Sequence, residues 1–273
     1  MACGLACGQL PCVFGITVNR MTPSIHPTAI VEPGAQLGDG CVLHPGAIVK
    51  AGAILGERVV VHPYAVVGGD PQVIRFDPAT PTGVRVGAGT IVREYATINR
   101  STEKGGHTVV GSNCLLMACS HVAHDAIVGN SVVVANAVLI AGHVDVGDHA
   151  VLGGGSAYHQ FTRIGEGAII GGLARITQDI PPFTMAAERD EVAGLNLIGL
   201  RRREVPREAI LELKEAFRLV YFTSGNIRDI AARALAAGTF GSPQARQFLE
   251  FMTAGKRGIA RARRGASPDE SED

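Results

Sequence analysis

The sequence predicts a mainly β protein, a parallel β-helix followed by a small C-terminal α-helical domain. Three observations carry that reading. Aliphatic residues recur every six positions over most of the chain. Glycine is abundant, 35 of 273 residues, while aromatics are only 5% and Trp is missing, a composition suited to tight turns and slim core layers. The six-residue clock then stops after Ile176, and a helical stripe opens near Pro206.

Residues 1–20 show neither a basic start with a clean apolar run nor a cleavage site, so they do not read as a signal peptide. Met21 opens a stretch that looks like an ordinary start, and 1–20 are expected to be an extension with no role in the fold. The β-helix is assigned to 21–190. Stepping by six from Ile25 gives Val31, Leu37, Leu43, Val49, Leu55, Val61 and Val67. A second block runs Val86, Val92, Ile98. A third runs from Val110 through Leu116, Val122, Val128, Val134, Ile140, Val146, Leu152, Tyr158, Ile164 and Ile170 to Ile176. Only Tyr158 is not aliphatic. Four positions after each clock residue the side chain is small or β-branched, as at Ala47, Thr90, Cys114, Ser120, Ala126 and Ala174. A period of six fits neither a coiled coil nor a flat strand. It fits a short strand plus a turn, with the large aliphatic inside and the small residue in the corner. Gly and Asn are expected at the turns, where a positive φ is often needed.

Two interruptions, about 68–85 and 99–109, break the clock. Loops extruded from a rigid prism are natural lids or subunit contacts. The remaining residues, 191–273, are assigned to the helical domain. Ala209, Ile210, Leu213, Ala216, Phe217, Val220 and Tyr221 form one helical stripe that Ser224-Gly225-Asn226 ends. Further helices are expected at Ile227–Ala236 and Pro243–Ala254, and the tail after Ile259 is expected to fray.

Lys+Arg and Asp+Glu are both 25, so the chain lacks the basic excess of a general nucleic-acid binder. No apolar run reaches the ~18 residues of a membrane span. The six cysteines show no CxxC or zinc-ligand spacing, which points to a reducing, cytoplasmic setting, and Cys119 reads as a packing residue.

The histidines fall into two groups. His26, His44 and His62 each precede Pro at 18-residue spacing and read as turn residues encoded by the repeat. The second group includes His121, His124, His143 and His159. If three hexads close one coil, residues 18 apart stack. His124, Gly142 and Gln160 then share a vertical row, with Asp125, His143 and Phe161 beside it. A titratable base, a sterically open N–H and an amide are parts for acyl transfer. Polar turn residues and a metal site compete with this reading, since imidazole is a common ligand.

The repeats resemble hexapeptide-repeat proteins, which form a left-handed parallel β-helix of triangular section. More specifically, the chain resembles the UDP-N-acetylglucosamine O-acyltransferases of lipid A synthesis from about Ile25 to Ile259. The resemblance is carried by Ile25-His26-Pro27-Thr28-Ala29, His121-Val122-Ala123-His124-Asp125, Ala141-Gly142-His143, His159-Gln160-Phe161, Gln178-Asp179-Ile180-Pro181-Pro182 and the Arg201-Arg202-Arg203 run. It implies a homotrimer with sites between neighbouring prisms and transfer of a 3-hydroxyacyl chain from acyl carrier protein to the sugar 3-hydroxyl. His124 would be the general base, Asp125 its partner and Gly142 N–H the oxyanion donor. No acyl-enzyme, metal or resident cofactor is implied, because 4'-phosphopantetheine arrives on the carrier. The imidazole's reference pKa of ~6.5 suits a base at neutral pH. Sugar-nucleotide contacts would fall to His121, His143, His159, Gln160, Asn196 and Arg203, with Arg202 and Arg203 also open to the carrier's phosphate. Gly172 would lie on the acyl-chain path, its small size leaving room for a longer chain. The first interruption departs from the family pattern: Val73 stands where an Asp is usual, Arg75 where a Lys is, and Phe76 where a Tyr is; the resemblance puts the Asp and Lys positions near the substrate, so Arg75 is expected to contact it. Asp77 is a possible stand-in for the carboxylate. Ile198 likewise replaces a Glu. These departures keep open a 3-amino UDP-sugar acceptor and a prism that binds without catalysing.

Overall fold

A computed structural model describes residues 21–267. The N-terminal extension, with Cys3, Cys7 and Cys12, and the acidic end of the tail lie outside the described residues. The clock folds as a left-handed parallel β-helix. Strands of two to four residues alternate among three sheets, and every third strand pairs in parallel. Leu116 pairs with Val134, Val122 with Ile140 and Val128 with Val146, so one coil is 18 residues where the clock is unbroken. The first face begins at Ser24–Ile25, the second at Ile30–Val31 and the third at Gln36–Leu37. The edges are numbered in chain order: first between faces one and two, second between two and three, third between three and one.

The inward residues Val49, Val61, Val122, Ile140 and Leu152 are wholly buried, as are the corner residues Cys41, Ala47, Ala65 and Ala126. Tyr158, the one aromatic on the clock, satisfies its hydroxyl on the corner residue Ser156 at 2.9 Å. Each turn from Gly34 to Leu173, apart from the two interruptions, places the third residue after the clock position at positive φ. Glycine fills that position in the early coils, at Gly34, Gly40, Gly46 and Gly52. Later coils put Asn113, Asp125, His143, His149 and Phe161 there. The expectation of Gly and Asn is therefore too narrow. Asp and His tolerate left-handed backbone at modest cost, and a rigid stack of coils imposes it on bulkier residues too. Cys119 holds this position on the first edge and is exposed; it does not pack in the core.

Both interruptions leave the prism at the second edge, one between Val66–Gly69 and Gly83–Val86, the next between Thr97–Asn99 and His107–Val110. After Ile176 the first face continues. Thr184–Ala187 adds in parallel to Ile169–Ile170, then pairs antiparallel with Glu191–Leu195, so the turn at 188–190 lies inside one hairpin. A six-residue helix, α1 (Leu197–Arg202), follows, too short to be seen by periodicity. Helices α2 (Arg207–Phe222), α3 (Ile227–Ala236) and α4 (Pro243–Thr253) match the expected stripes. Asn226 and Ser242 cap α3 and α4.

The expected fraying after Ile259 is a correction. Arg261–Ser267 forms a strand beside Glu191–Leu195, and the Tyr221 hydroxyl donates to Ala260 O at 3.0 Å. The exposed sheet edge supplies pairing that local sequence does not reveal. An ion pair between half-buried Arg163 and buried Asp179 clasps the helices to the prism. Arg163 Nε donates to Asp179 Oδ2 at 2.9 Å, while its Nη2 reaches Phe251 O at 2.9 Å and Ala254 O at 2.8 Å.

Candidate active site

His124 and Asp125 occupy the first uninterrupted turn of the second edge below the two loops. The strand His121–Val122 holds them in register over Leu139–Ile140, and the turns stack through His143 N to His124 O at 3.2 Å and Phe161 N to Gly142 O at 3.4 Å. The predicted row of His124, Gly142 and Gln160 is thus formed. With His121, Tyr158 and Gln72 it lines a cavity of about 360 Å³.

Asp125 Oδ2 lies 2.8 Å from His124 Nδ1. An ionised carboxylate only accepts, so Nδ1 carries the hydrogen, and in the neutral ring Nε2 is then the nitrogen with the lone pair. Three other donors reach the same carboxylate: the Ser101 hydroxyl at Oδ1, Thr102 Oγ1 at 2.6 Å and Thr102 N at 3.2 Å. Burial alone would raise the Asp125 pKa, but the Ser101, Thr102 and His124 hydrogen bonds outweigh it and hold it at about 2. The group is a standing carboxylate at neutral pH.

His143 stacks on Phe161 at 4.6 Å and meets the His124 ring edge-on at 5.3 Å. His121 Nδ1 bonds Thr97 Oγ1 at 2.8 Å; burial first, then the neighbouring His124, pushes its pKa down, so it stays neutral. Gly142 is required by close approach. A Cβ there would sit 2.6 Å from His124 Cε1 and 2.7 Å from Nε2. Its N–H makes no hydrogen bond among the described residues and is available to a ligand.

His124, Asp125 and His143 stand close enough to share a metal ion. The carboxylate argues against that role. Three of its four donors converge on Oδ2, the oxygen that lies nearest both histidines, and ligation through that atom would displace at least one of them. The arrangement is that of an oriented imidazole.

The remaining expected residues divide between this edge and others. His159 and Gln160 are bridged by Arg257, whose Nη2 is 2.6 Å from His159 Nδ1 and whose Nε is 3.1 Å from Gln160 O. Arg75 is exposed on the first loop, beside exposed Val73 and Ile74. Asp77 is exposed on the same loop, and its Oδ1 accepts from Ala79 N at 2.9 Å, capping its own turn. Asn196 is buried at the N-cap of α1, accepting from Gly199 N at 2.8 Å and donating to Gly167 O at 2.9 Å. Arg203 pairs with Glu166 at 2.7 Å. Both contact the third edge, while Arg202 and Ile198 are exposed. Gly172 lies on the first edge, its added Cβ meeting only Gly154 O at 3.4 Å. One chain therefore gathers His121, His124, Asp125, Gly142, His143 and Gln160, and leaves Asn196, Arg202, Arg203 and Gly172 on other edges.

Sequence reasoning missed Gln72, Thr97, Ser101, Thr102 and Arg257 as site residues. Tyr158 carried one usable signal, as the lone exception on the clock.

A repeat-built prism with an oriented imidazole and an open backbone N–H defines the class of hexapeptide-repeat acyltransferases. The family description "Bacterial transferase hexapeptide (six repeats)" matches residues 34–69, and "Udp N-acetylglucosamine O-acyltransferase; Domain 2" matches residues 179–260. An acyl-[acyl-carrier-protein]–UDP-N-acetylglucosamine O-acyltransferase of Campylobacter jejuni subsp. doylei is 45% identical over 255 residues, covering 86% of this chain and 95% of its own. A relative of the same description from Anaeromyxobacter sp. is 38% identical over 258 residues, covering 87% of this chain and 100% of its own. The solved UDP-N-acetylglucosamine acyltransferase of Campylobacter jejuni superposes with a TM-score of 0.76 at 36% identity over 88% of this chain and 100% of that one. The chain belongs to the UDP-N-acetylglucosamine O-acyltransferase family and is an acyltransferase.

Proposed function

We propose that the protein transfers a 3-hydroxyacyl chain from acyl carrier protein to the 3-hydroxyl of UDP-N-acetylglucosamine, opening lipid A synthesis. The observation that carries this is His124, with Nδ1 tied to Asp125 and Nε2 free in the cavity. Nε2 takes the proton of the sugar hydroxyl as its oxygen attacks the thioester carbonyl. The Gly142 N–H faces the developing oxyanion, a contribution of about 10²–10³ in rate for one donor. As the carbon–sulfur bond breaks, the imidazolium returns the proton to the departing thiolate. The pantetheine belongs to the carrier, and the enzyme brings no cofactor of its own.

The active unit is a homotrimer. Its support is twofold. The expected substrate contacts are divided among three edges of one chain, so a neighbour must complete the site. The outward residues Val42, Val60, Ile91, Leu115, Val133, Val151 and Ile169 also make the first face aliphatic along its length, as a self-association surface would be. Among the described residues no helix is long and apolar enough to cross a membrane. We place the reaction in the cytoplasm, with no role for nucleic acid.

A second acceptor, the 3-amino analogue, is favoured by Val73 and Ile198, apolar and exposed where the family pattern has carboxylates. Purified trimer assayed with a panel of acyl carrier proteins and each acceptor separately tests both readings. Transfer to UDP-N-acetylglucosamine supports the first, and transfer only to the amine supports the second. Transfer to neither overturns both and leaves a non-catalytic prism.

A further inference from the structure

We propose that Ser101 and Thr102 are positioning residues for the base, carried on a loop that Arg100 couples to the first loop. The inference rests on His124 being that base. Asp125 has two imidazoles to choose between: its Oδ2 is 2.8 Å from His124 Nδ1 and 3.8 Å from His143 Nε2. A carboxylate held only by its own turn could swing between them.

The second loop removes that freedom. Ser101 is fully buried, and its hydroxyl accepts from Glu103 N at 2.9 Å, which directs its own hydrogen to Asp125 Oδ1. Thr102 gives Oδ2 both its hydroxyl and its backbone N–H. Three of the carboxylate's four donors thereby come from one loop, one at Oδ1 and two at Oδ2, and the fourth is His124 Nδ1 at Oδ2. The loop selects which histidine becomes the oriented one and which nitrogen keeps its lone pair.

Arg100, the preceding residue, ties this element to the first loop. Its Nε donates to Asp70 Oδ1 at 2.8 Å, Nη1 to Thr80 O at 2.9 Å and Nη2 to Pro78 O at 2.7 Å. The guanidinium also lies 4.9 Å over the Phe76 ring. The clamped loop carries Gln72 into the His124 cavity. Three consecutive residues thus join the cavity wall to the orientation of the base.

The test compares Thr102→Val, Thr102→Ser, Ser101→Ala and Arg100→Met in the full-length trimer, with His124→Ala alongside. Misorienting a base without deleting it is expected to lower kcat about 10- to 100-fold in Thr102→Val, with KM for the sugar nucleotide within about twofold. Thr102→Ser restores most of the loss. Arg100→Met lowers kcat and also raises KM, because Gln72 loses its place. If Thr102→Val does not fold, Ser101→Ala decides on the same criteria. A near-normal kcat in these variants beside an inactive His124→Ala overturns the positioning role and leaves the base intact. A change in KM alone in the Thr102 and Ser101 variants overturns it as well. Activity surviving in His124→Ala removes the base assignment, and this inference with it.

Discussion

Histidines pair on two edges of the same prism, stacked face to face at His44 and His62 on the first and edge-on at His124 and His143 on the second, and the two pairs keep very different company. On the first edge His44 and His62 stack at 4.7 Å, and His62 Nδ1 lies 3.2 Å from Glu94. Glu94 is also shared with Arg93, whose Nε donates to it at 2.9 Å. On the second edge the carboxylate follows its histidine directly in the turn and receives three more donors from a loop. A Gly beneath the ring leaves it room. Stacked histidines are thus a cheap product of repetition. A base needs a carboxylate with no competing cation, clearance for the ring and an element that fixes both.

The contrast can be broken most sharply at His124. His124→Ala is expected to lower kcat by about 10²–10⁴ while the trimer persists by light scattering. Next comes Asp125→Asn, expected to cost about 10² in kcat through misorientation of the ring and loss of the favoured tautomer, measured with KM under the same conditions. Gly142→Ala should follow with a loss of about 10- to 100-fold, since the new methyl displaces the His124 ring; a crystal structure of the variant would show the displaced ring.

A pH titration of stability sharpens the comparison further. Burial is the leading cause lowering the pKa of His62, His107 and His121. The folded state therefore keeps these rings neutral, and the unfolded chain protonates first. Stability from them is fully present above ~6.5 and falls as pH drops through the folded values. Asp125, held at about 2, adds stability that is present above ~3.8 and lost as pH falls toward 2. Thermal unfolding from pH 8 to 3 should show the histidine loss first, and His121→Gln should shrink it. The smallest effect belongs to the ladder. His44→Ala is expected to change stability by less than ~1 kcal/mol and to leave kcat within about twofold.

Much of this organisation was readable in the chain. The clock places Val122 over Ile140, and that register alone sets His124 above Gly142 and Gln160. Periodicity reports what repeats. Ser101, Thr102 and Gln72 sit on the two segments where nothing repeats, and Arg257 joins His159 from a remote part of the chain. The α2 stripe was visible because five of its residues bury on one side, whereas α1 spans less than two turns. The strand at Arg261–Ser267 depends on an edge made by Glu191–Leu195 and has no local signature. Asn196 and Arg203 came from family resemblance, and within one chain their partners are Gly167, Gly199 and Glu166.

The two loops on the second edge also bear on how the chain finds its alignment. A coil slipped by one full turn would set aliphatic on aliphatic and small corner on small corner, leaving the interior almost unchanged. A uniform repeat thus carries little information about which coil belongs against which, and mispaired stacks would compete during folding. The loops make adjacent coils unequal in length, and Arg100 meets Asp70, Thr80 and Pro78 in only one alignment. The segments that interrupt the pattern are therefore what make the pattern unambiguous.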